Sequence, residues 1–312
     1  MVFRVKHLIT ALAGGVGAAK LLVGLARVID EKDLTVIVNT GDDIELHGLH
    51  VSPDIDIVTY SLAGIVNQER GWGIQGDTFH CLNTLKQFTG FEWFNIGDKD
   101  FATDIFRTNL LRQGYTLTQV TKRVCSALGV KANILPMTDS KFETRVATKE
   151  GMMHFEEYLV KRGAKYEVLG VEFFGAKEAK ASPGVVEAIE KAERIVICPS
   201  NPVVSIGTIL SVKGVLTALK RTHAKKVGVS PIVAGHPIKG PADKLLRGLG
   251  HEVSAFGVAK LYKNFLDTFI IDASDASEKG RIEHLGIEVK VTNTLMQNLQ
   301  DKVQLAKIVL ED

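Results

Sequence analysis

Between Leu8 and Lys20 the chain reads Leu-Ile-Thr-Ala-Leu-Ala-Gly-Gly-Val-Gly-Ala-Ala-Lys, an apolar run that breaks on glycines and opens at once into a helix pattern. A strand, a tight turn and a helix start fit this order of residues. Gly14, Gly15 and Gly17 carry no Cβ, so the backbone there is free to take positive φ and to approach a ligand closely. The N-terminus of the following helix favours an anion, most often a phosphate. The spacing G-G-x-G falls short of the full dinucleotide fingerprint and lacks the G-K-[ST] ending of a P-loop. On these residues alone two readings stand, a phosphate cradle and a turn that only lets strand and helix pack.

The following pattern extends the opening into a βαβ unit. A helix is expected over 18–29, with Leu21, Leu22, Leu25 and Ile29 on one face, and Leu34–Val38 is a β-branched run suited to a buried parallel strand. Ser52 as N-cap, Pro53 at the first helical position and two acids in the first turn start a helix expected to run to about residue 67. Asp77 reads as the N-cap of the next helix, and further helices are expected over 101–113 and after Thr116. Residues 132–137, 145–148, 152–155 and 166–174 read as strands, the middle two as a hairpin. Parallel α/β alternation resumes with a helix over 183–192 and a strand over 194–198, and later apolar runs bring the count to about six parallel strands. The fold class is therefore α/β, a doubly wound, mostly parallel Rossmann-like sheet with a helical and partly antiparallel insertion. Residues 1–60 and 183–312 form the nucleotide-binding core, and 61–182 an inserted substrate-binding subdomain.

Composition narrows the function. With 312 residues, 45% of them hydrophobic, the chain can bury a substantial core. Its net charge of +2 is spread rather than blocked, so nucleic acid is not an expected partner. No stretch approaches a membrane span. Cys81, Cys125 and Cys198 show no paired spacing, which suits reduced thiols in the cytoplasm. His7, His80 and His223 stand singly and read as packing or surface residues.

Open α/β sheets bind ligands at the carboxyl ends of their strands, and three loops fall there. Besides the glycine turn they are Asn39-Thr40-Gly41-Asp42-Asp43 and Pro199-Ser200-Asn201-Pro202. The acids of the first are candidates for a metal or hydroxyl contact, and the second offers N–H and O–H groups to a second phosphate. Asp54 and Asp56, two apart on a helix, diverge by about 200° and do not readily serve one point. Trp72, set among Gly71, Gly73 and Gly76, is placed to stack on a planar ligand or to plug a core edge.

Taken together, these loops resemble one family. The likeness rests on Gly14-Gly15-Val16-Gly17 with Lys20-Leu21-Leu22, Val38-Asn39-Thr40 with Asp43, and Ser52-Pro53-Asp54-Ile55-Asp56. It continues through Trp72-Gly73-Ile74 with Asp77-Thr78-Phe79, Gly97-Asp98-Lys99-Asp100, and Lys131 to Met137, and ends at Pro199-Ser200-Asn201-Pro202 with Ser205-Ile206. Over nearly its whole length the chain is similar to the 2-phospho-L-lactate transferases of coenzyme F420 biosynthesis. The resemblance implies a Mg²⁺-dependent transfer of a phospholactyl group from a guanosine diphosphate-linked donor to the ribityl hydroxyl of the deazaflavin Fo, with release of GMP, by a homodimer. The donor's acid is phospholactate, phosphoenolpyruvate or phosphoglycerate. Gly14, Gly15, Gly17, Ser200 and Asn201, with Asn39 and Thr40, fall at the nucleotide. Asp56, Asn95 and Trp72 fall at Fo, and Asn95 stands where the family pattern has a lysine. Asp43, Asp54 and Asp56 are the candidate Mg²⁺ ligands, and Asp54 and Asp56 the catalytic carboxylates, with Asp56 either base or metal ligand. The alternative is a non-catalytic nucleotide-binding regulator like the gluconeogenesis-factor family. The sequence Ile44-Glu45-Leu46-His47 after the acidic pair, in place of a glycine- and serine-rich run, favours the transferase.

Overall fold

The computed structural model describes residues 8–90 and 93–311, and His7 lies outside them. Ten strands carry the architecture: β1 (Ile9–Ala13), β2 (Leu34–Val38), β3 (Asn133–Pro136), β4 (Glu143–Thr148), β5 (Gly151–His154), β6 (Gly170–Phe174), β7 (Arg194–Ile197), β8 (Lys225–Val229), β9 (Thr268–Asp272) and β10 (Glu288–Thr292). Seven of them form one parallel sheet in the order β10-β9-β8-β7-β1-β2-β3. Both faces are covered, which is why its inner strands carry apolar runs such as Ala11–Ala13, Val36–Val38, Ile195–Ile197 and Phe269–Ile271. Leu12, Ile37, Ile195, Ile197, Phe269 and Ile271 enter one core, while their neighbours Ala11, Ala13, Val36, Val38, Val196 and Ile270 enter the other. The strand pleat thus divides the hydrophobic residues between two helical layers.

The sheet has seven strands where the pattern counted about six. The extra one is β3, which the sequence marks as a strand but which pairs in register with β2 across the long helical segment that separates them. The hairpin β4–β5 and strand β6 form a separate antiparallel sheet in the order β5-β4-β6, as the pattern implies.

Five helices position the site: α1 (Gly15–Val28), α2 (Pro53–Leu62), α3 (His80–Thr89), α4 (Asp98–Arg112) and α5 (Leu117–Ala127). Three sequence expectations need correction here. Helix α2 stops at Leu62, not near residue 67, because Gly64 turns the chain with φ +74° and Ile65 N–H bonds back to Tyr60 O at 2.9 Å. Ser52 occupies the N-cap of α2, yet its hydroxyl donates to Asp43 Oδ2 at 2.9 Å instead of capping. Asp77 does not cap α3. It accepts from Lys99 N–H at 3.0 Å and Asp100 N–H at 3.3 Å, at the start of α4, while Asp98 on α4 accepts from His80 N–H at 3.2 Å and Cys81 N–H at 2.9 Å, at the start of α3. The two helices exchange caps. A Cβ on Gly97 would sit 2.1 Å from Asp77 Oδ2, so only glycine admits this crossing. His80 and His223 are exposed.

Candidate active site

At the centre of the sheet the strand order runs from β1 to β2 and β3 on one side and from β7 to β8, β9 and β10 on the other, and the loops that leave the carboxyl ends of β1 and β7 meet. Gly14 N–H donates to Ser200 Oγ at 3.1 Å, and a Cβ on Gly17 would lie 2.4 Å from Pro199 O. Gly15 has φ +73°, which alone favours glycine. Its N–H donates to Asp54 Oδ1 at 2.7 Å, and a Cβ on Gly14 would meet Asp54 Oδ2 at 2.6 Å. The first two N–H groups of the turn are therefore held by the protein itself, and Asp54 sits as an anion on the start of α1. The next N–H groups, of Val16 and Gly17, have no intrahelical acceptor by helix geometry.

These loops line a cavity of about 580 Å³. Gly14, Gly15, Gly17, Asp54, Asp56, Trp72, Asn95, Ser200 and Asn201 all face it. Asn39, Thr40 and Asp43 do not line it and are buried behind its wall. Asn39 Nδ2 donates to Asp42 Oδ2 at 3.0 Å and to Asp54 Oδ2 at 2.9 Å, and its Oδ1 accepts from Gly41 N–H at 2.8 Å and Thr208 Oγ at 2.7 Å. It is a fully bonded amide that holds two carboxylates. The Arg70 guanidinium lies over one face of Trp72, 5.1 Å from its ring centroid. Asn95 is exposed at the rim.

The cavity is lined by the acids Asp42, Asp54, Asp56, Asp100, Asp104 and Glu156 and by Lys20 and Lys239. Sequence reading selects Asp42 among the acids of its loop but does not select Asp100, Asp104, Glu156 or Arg107 as site residues. Asp104–Arg107 has i,i+3 helix spacing, but Glu156 leaves no local signal.

The carboxylates fall into two sets. Burial, then the charges of Asp54, Glu156 and Asp43, push Asp42 well above its usual value. Burial also raises Asp54 to about 6, and burial with the charges of Asp54 and Asp43 raises Glu156 to about 8. On the other side Arg107, 1% exposed, pairs with Asp56 through Nη2 and with Asp104 through Nη1 at 2.7 Å, and Nη1 also reaches His50 O at 3.3 Å. Burial pushes Asp56 up while Arg107 pulls it back. Asp104, driven by burial and by the Asp56 charge, rises to about 8 despite Arg107, and Asp100 to about 6. One guanidinium thus serves two carboxylates.

Asp42 Oδ1 and Asp43 Oδ1 are buried without a hydrogen-bond partner. Among the described residues no group of three or more His, Cys, Asp or Glu forms a ready metal cage. Mg²⁺ does not need one, since it binds through one or two carboxylates and completes its shell with water and substrate phosphate. The orphaned oxygens fit such a cation.

Glu156 gives a pH prediction. A folded carboxyl that holds its proton up to about 8, against an ordinary 4.5, contributes stability that is whole below the ordinary value and is lost as pH rises through the folded one. Each unit of such a shift corresponds to about 1.4 kcal/mol. Without divalent cation the protein is expected to melt lower at about pH 9 than at about pH 6, and Glu156→Gln is expected to flatten that fall. Thermal melts across this range check it, and an equally steep fall in the variant rejects Glu156 as the source.

Comparisons with known proteins give the family. Residues 9–305 match the family model described as 2-phospho-L-lactate transferase CofD. A 2-phospho-L-lactate transferase of Methanosarcina mazei is 42% identical over 96% of this chain and 98% of its own, and one of Methanothermobacter thermautotrophicus is 43% identical over 98% of each. A phosphoenolpyruvate transferase of Streptomyces avermitilis is 43% identical over 97% of each. A crystal structure of a Bacillus halodurans protein shares the fold, with a TM-score of 0.66 and 17% identity over 98% of this chain and 100% of that one. No helix among the described residues is long and apolar enough to cross a membrane. The chain belongs to the CofD family of 2-phospho-L-lactate transferases and is a transferase of a substituted phosphate group.

Proposed function

We propose that this enzyme moves a phospholactyl group, or the closely related phosphoenolpyruvyl or phosphoglyceryl group, from a guanosine diphosphate-linked donor to the ribityl hydroxyl of Fo, releasing GMP in coenzyme F420 biosynthesis. The observation that carries the reading is one cavity that sets a carboxylate wall beside a helix N-terminus and two lysines. The donor's diphosphate belongs at the N–H groups of Val16 and Gly17 with Lys20, where backbone dipole and ammonium charge meet it. The acceptor hydroxyl belongs at Asp56, whose carboxylate is fixed by Arg107. Its oxygen attacks the phosphorus that bears the three-carbon acid, the bond to GMP breaks, and the hydroxyl proton passes to a carboxylate. One or two of Asp54, Asp43 and Asp42 would hold Mg²⁺, which when bound neutralises charge on the phosphates. The resemblance extends the proposal to a cytoplasmic homodimer.

Incubation with Fo, Mg²⁺ and each guanylated donor, with mass spectrometry of the deazaflavin product, tests the reaction and identifies the acid. No product with any donor rejects it. The nucleotide is tested separately: GDP at about 100 times its Kd is expected to stabilise the fold by about 2.7 kcal/mol, and ADP at the same concentration by less. Equal thermal shifts reject the guanine assignment.

A further inference from the structure

We infer that Arg107 sorts the carboxylates of the cavity, acting as a positioning residue that reserves Asp56 for the acceptor hydroxyl and keeps it out of the divalent cation's coordination, which falls to Asp54 with its neighbour Asp42. The inference rests on the function proposed above.

Helix geometry makes the first separation. Asp54 and Asp56 leave α2 in directions about 200° apart, and their partners differ accordingly. Asp54 goes to Gly15 N–H and Asn39 Nδ2, on the sheet side, while Asp56 goes to Arg107 on α4. Asn39 Nδ2 binds Asp42 Oδ2 and Asp54 Oδ2 together, at 3.0 and 2.9 Å, so these two carboxylates converge on one point. Asp42 Oδ1, on the first of these carboxylates, is buried without a hydrogen-bond partner.

Charge makes the second separation. Asp42, Asp43, Asp54 and Glu156 act on one another with no guanidinium or ammonium paired to Asp42, Asp54 or Glu156 among the described residues, so a cation there relieves repulsion. Around Asp56 the positive charge is already present. Arg107 is buried, permanently charged and forked between Asp56 and Asp104. A divalent cation drawn to Asp56 would face that guanidinium in a low-dielectric wall, where like charges repel strongly. The pair instead leaves Asp56 a fixed acceptor at the cavity surface, suited to a neutral hydroxyl.

Calorimetric titration of Mg²⁺ into the nucleotide-free protein tests this without relying on turnover. Asp54→Asn is expected to weaken Mg²⁺ about tenfold or more, whereas Asp56→Asn leaves its Kd within about twofold. Arg107→Lys keeps the charge but loses the fork, so Mg²⁺ affinity should hold while kcat/KM for Fo falls about 10²-fold. Equal weakening by Asp54→Asn and Asp56→Asn overturns the sorting, as does an Arg107→Lys enzyme with unchanged kcat/KM for Fo. A wild-type protein that binds no Mg²⁺ overturns it too. Failure of the transferase reading shows separately, as absence of deazaflavin product from the wild-type enzyme, and leaves the cation titration interpretable.

Discussion

Asp56→Asn is expected to fold and to lose about 10²-fold or more in kcat, because an amide cannot take the hydroxyl proton and presents a weaker acceptor to it. Asp56 sits in the first turn of α2, where the helix dipole gives a carboxylate about 0.3–1 kcal/mol. The Arg107 contact raises the structural cost above that figure. A hydrogen bond to a charged group contributes about 1.5–3 kcal/mol, and Asn retains part of it through its carbonyl oxygen. Arg107 also keeps Asp104, so the guanidinium is not stranded. The expected pattern is a melting temperature lower by several degrees beside a collapse in turnover. Steady-state kinetics with the Fo product assay and a thermal melt measure both. Near-normal turnover would reduce Asp56 to a helix-start residue.

Arg107→Met is expected to destabilise the fold by about 3–5 kcal/mol, because it leaves buried carboxylate charge without a partner. The sign of its pH dependence follows. Asp56 and Asp104 in the variant lose the charge that favours their ionised forms, so their pKa values move further up and the folded state binds protons that the unfolded state does not. Stability of the variant should therefore recover as pH falls toward about 5, which the wild type shows less strongly. Adding Asp56→Asn should also recover part of the loss, since it removes the stranded charge itself. Urea unfolding of the single and double variants tests both claims. A double variant as unstable as the sum of its parts would show that Arg107 supports the fold by packing instead.

Much of the sheet is legible in the sequence because strands buried on both faces carry near-continuous apolar runs, and β1, β2, β7, β8 and β9 each hold one. The placement of β3 beside β2 was not, since nothing local to residues 133–136 records a partner so far away in sequence. The same distinction runs through the site. The divergence of Asp54 and Asp56 follows from helix period and is found. The capture of the Gly15 N–H by Asp54 is a contact across 39 residues, so free donors were expected where a carboxylate already sits. Arg107 reaches Asp56 across 51 residues, and Glu156 enters the cavity from the far side of a hairpin. Local chemistry identifies which residues have work to do, and long-range packing decides with whom they do it.

The exchanged caps of α3 and α4 bear on how the rim of the cavity comes into being. Each helix owes its first turn to an aspartate that belongs to the start of the other, some twenty residues away, with Thr78 Oγ on Asp98 Oδ2 at 2.5 Å closing the crossing. Neither start can be completed ahead of its neighbour, as a helix with its own N-cap can. The two helix starts, Asp77 to Cys81 and Asp98 to Asp100, are thus a cooperative unit that assembles and frays in one event. Amide exchange at Cys81 and Lys99, remote in sequence, should share a single opening free energy, and the acceptor side of the cavity is correspondingly either wholly built or wholly absent.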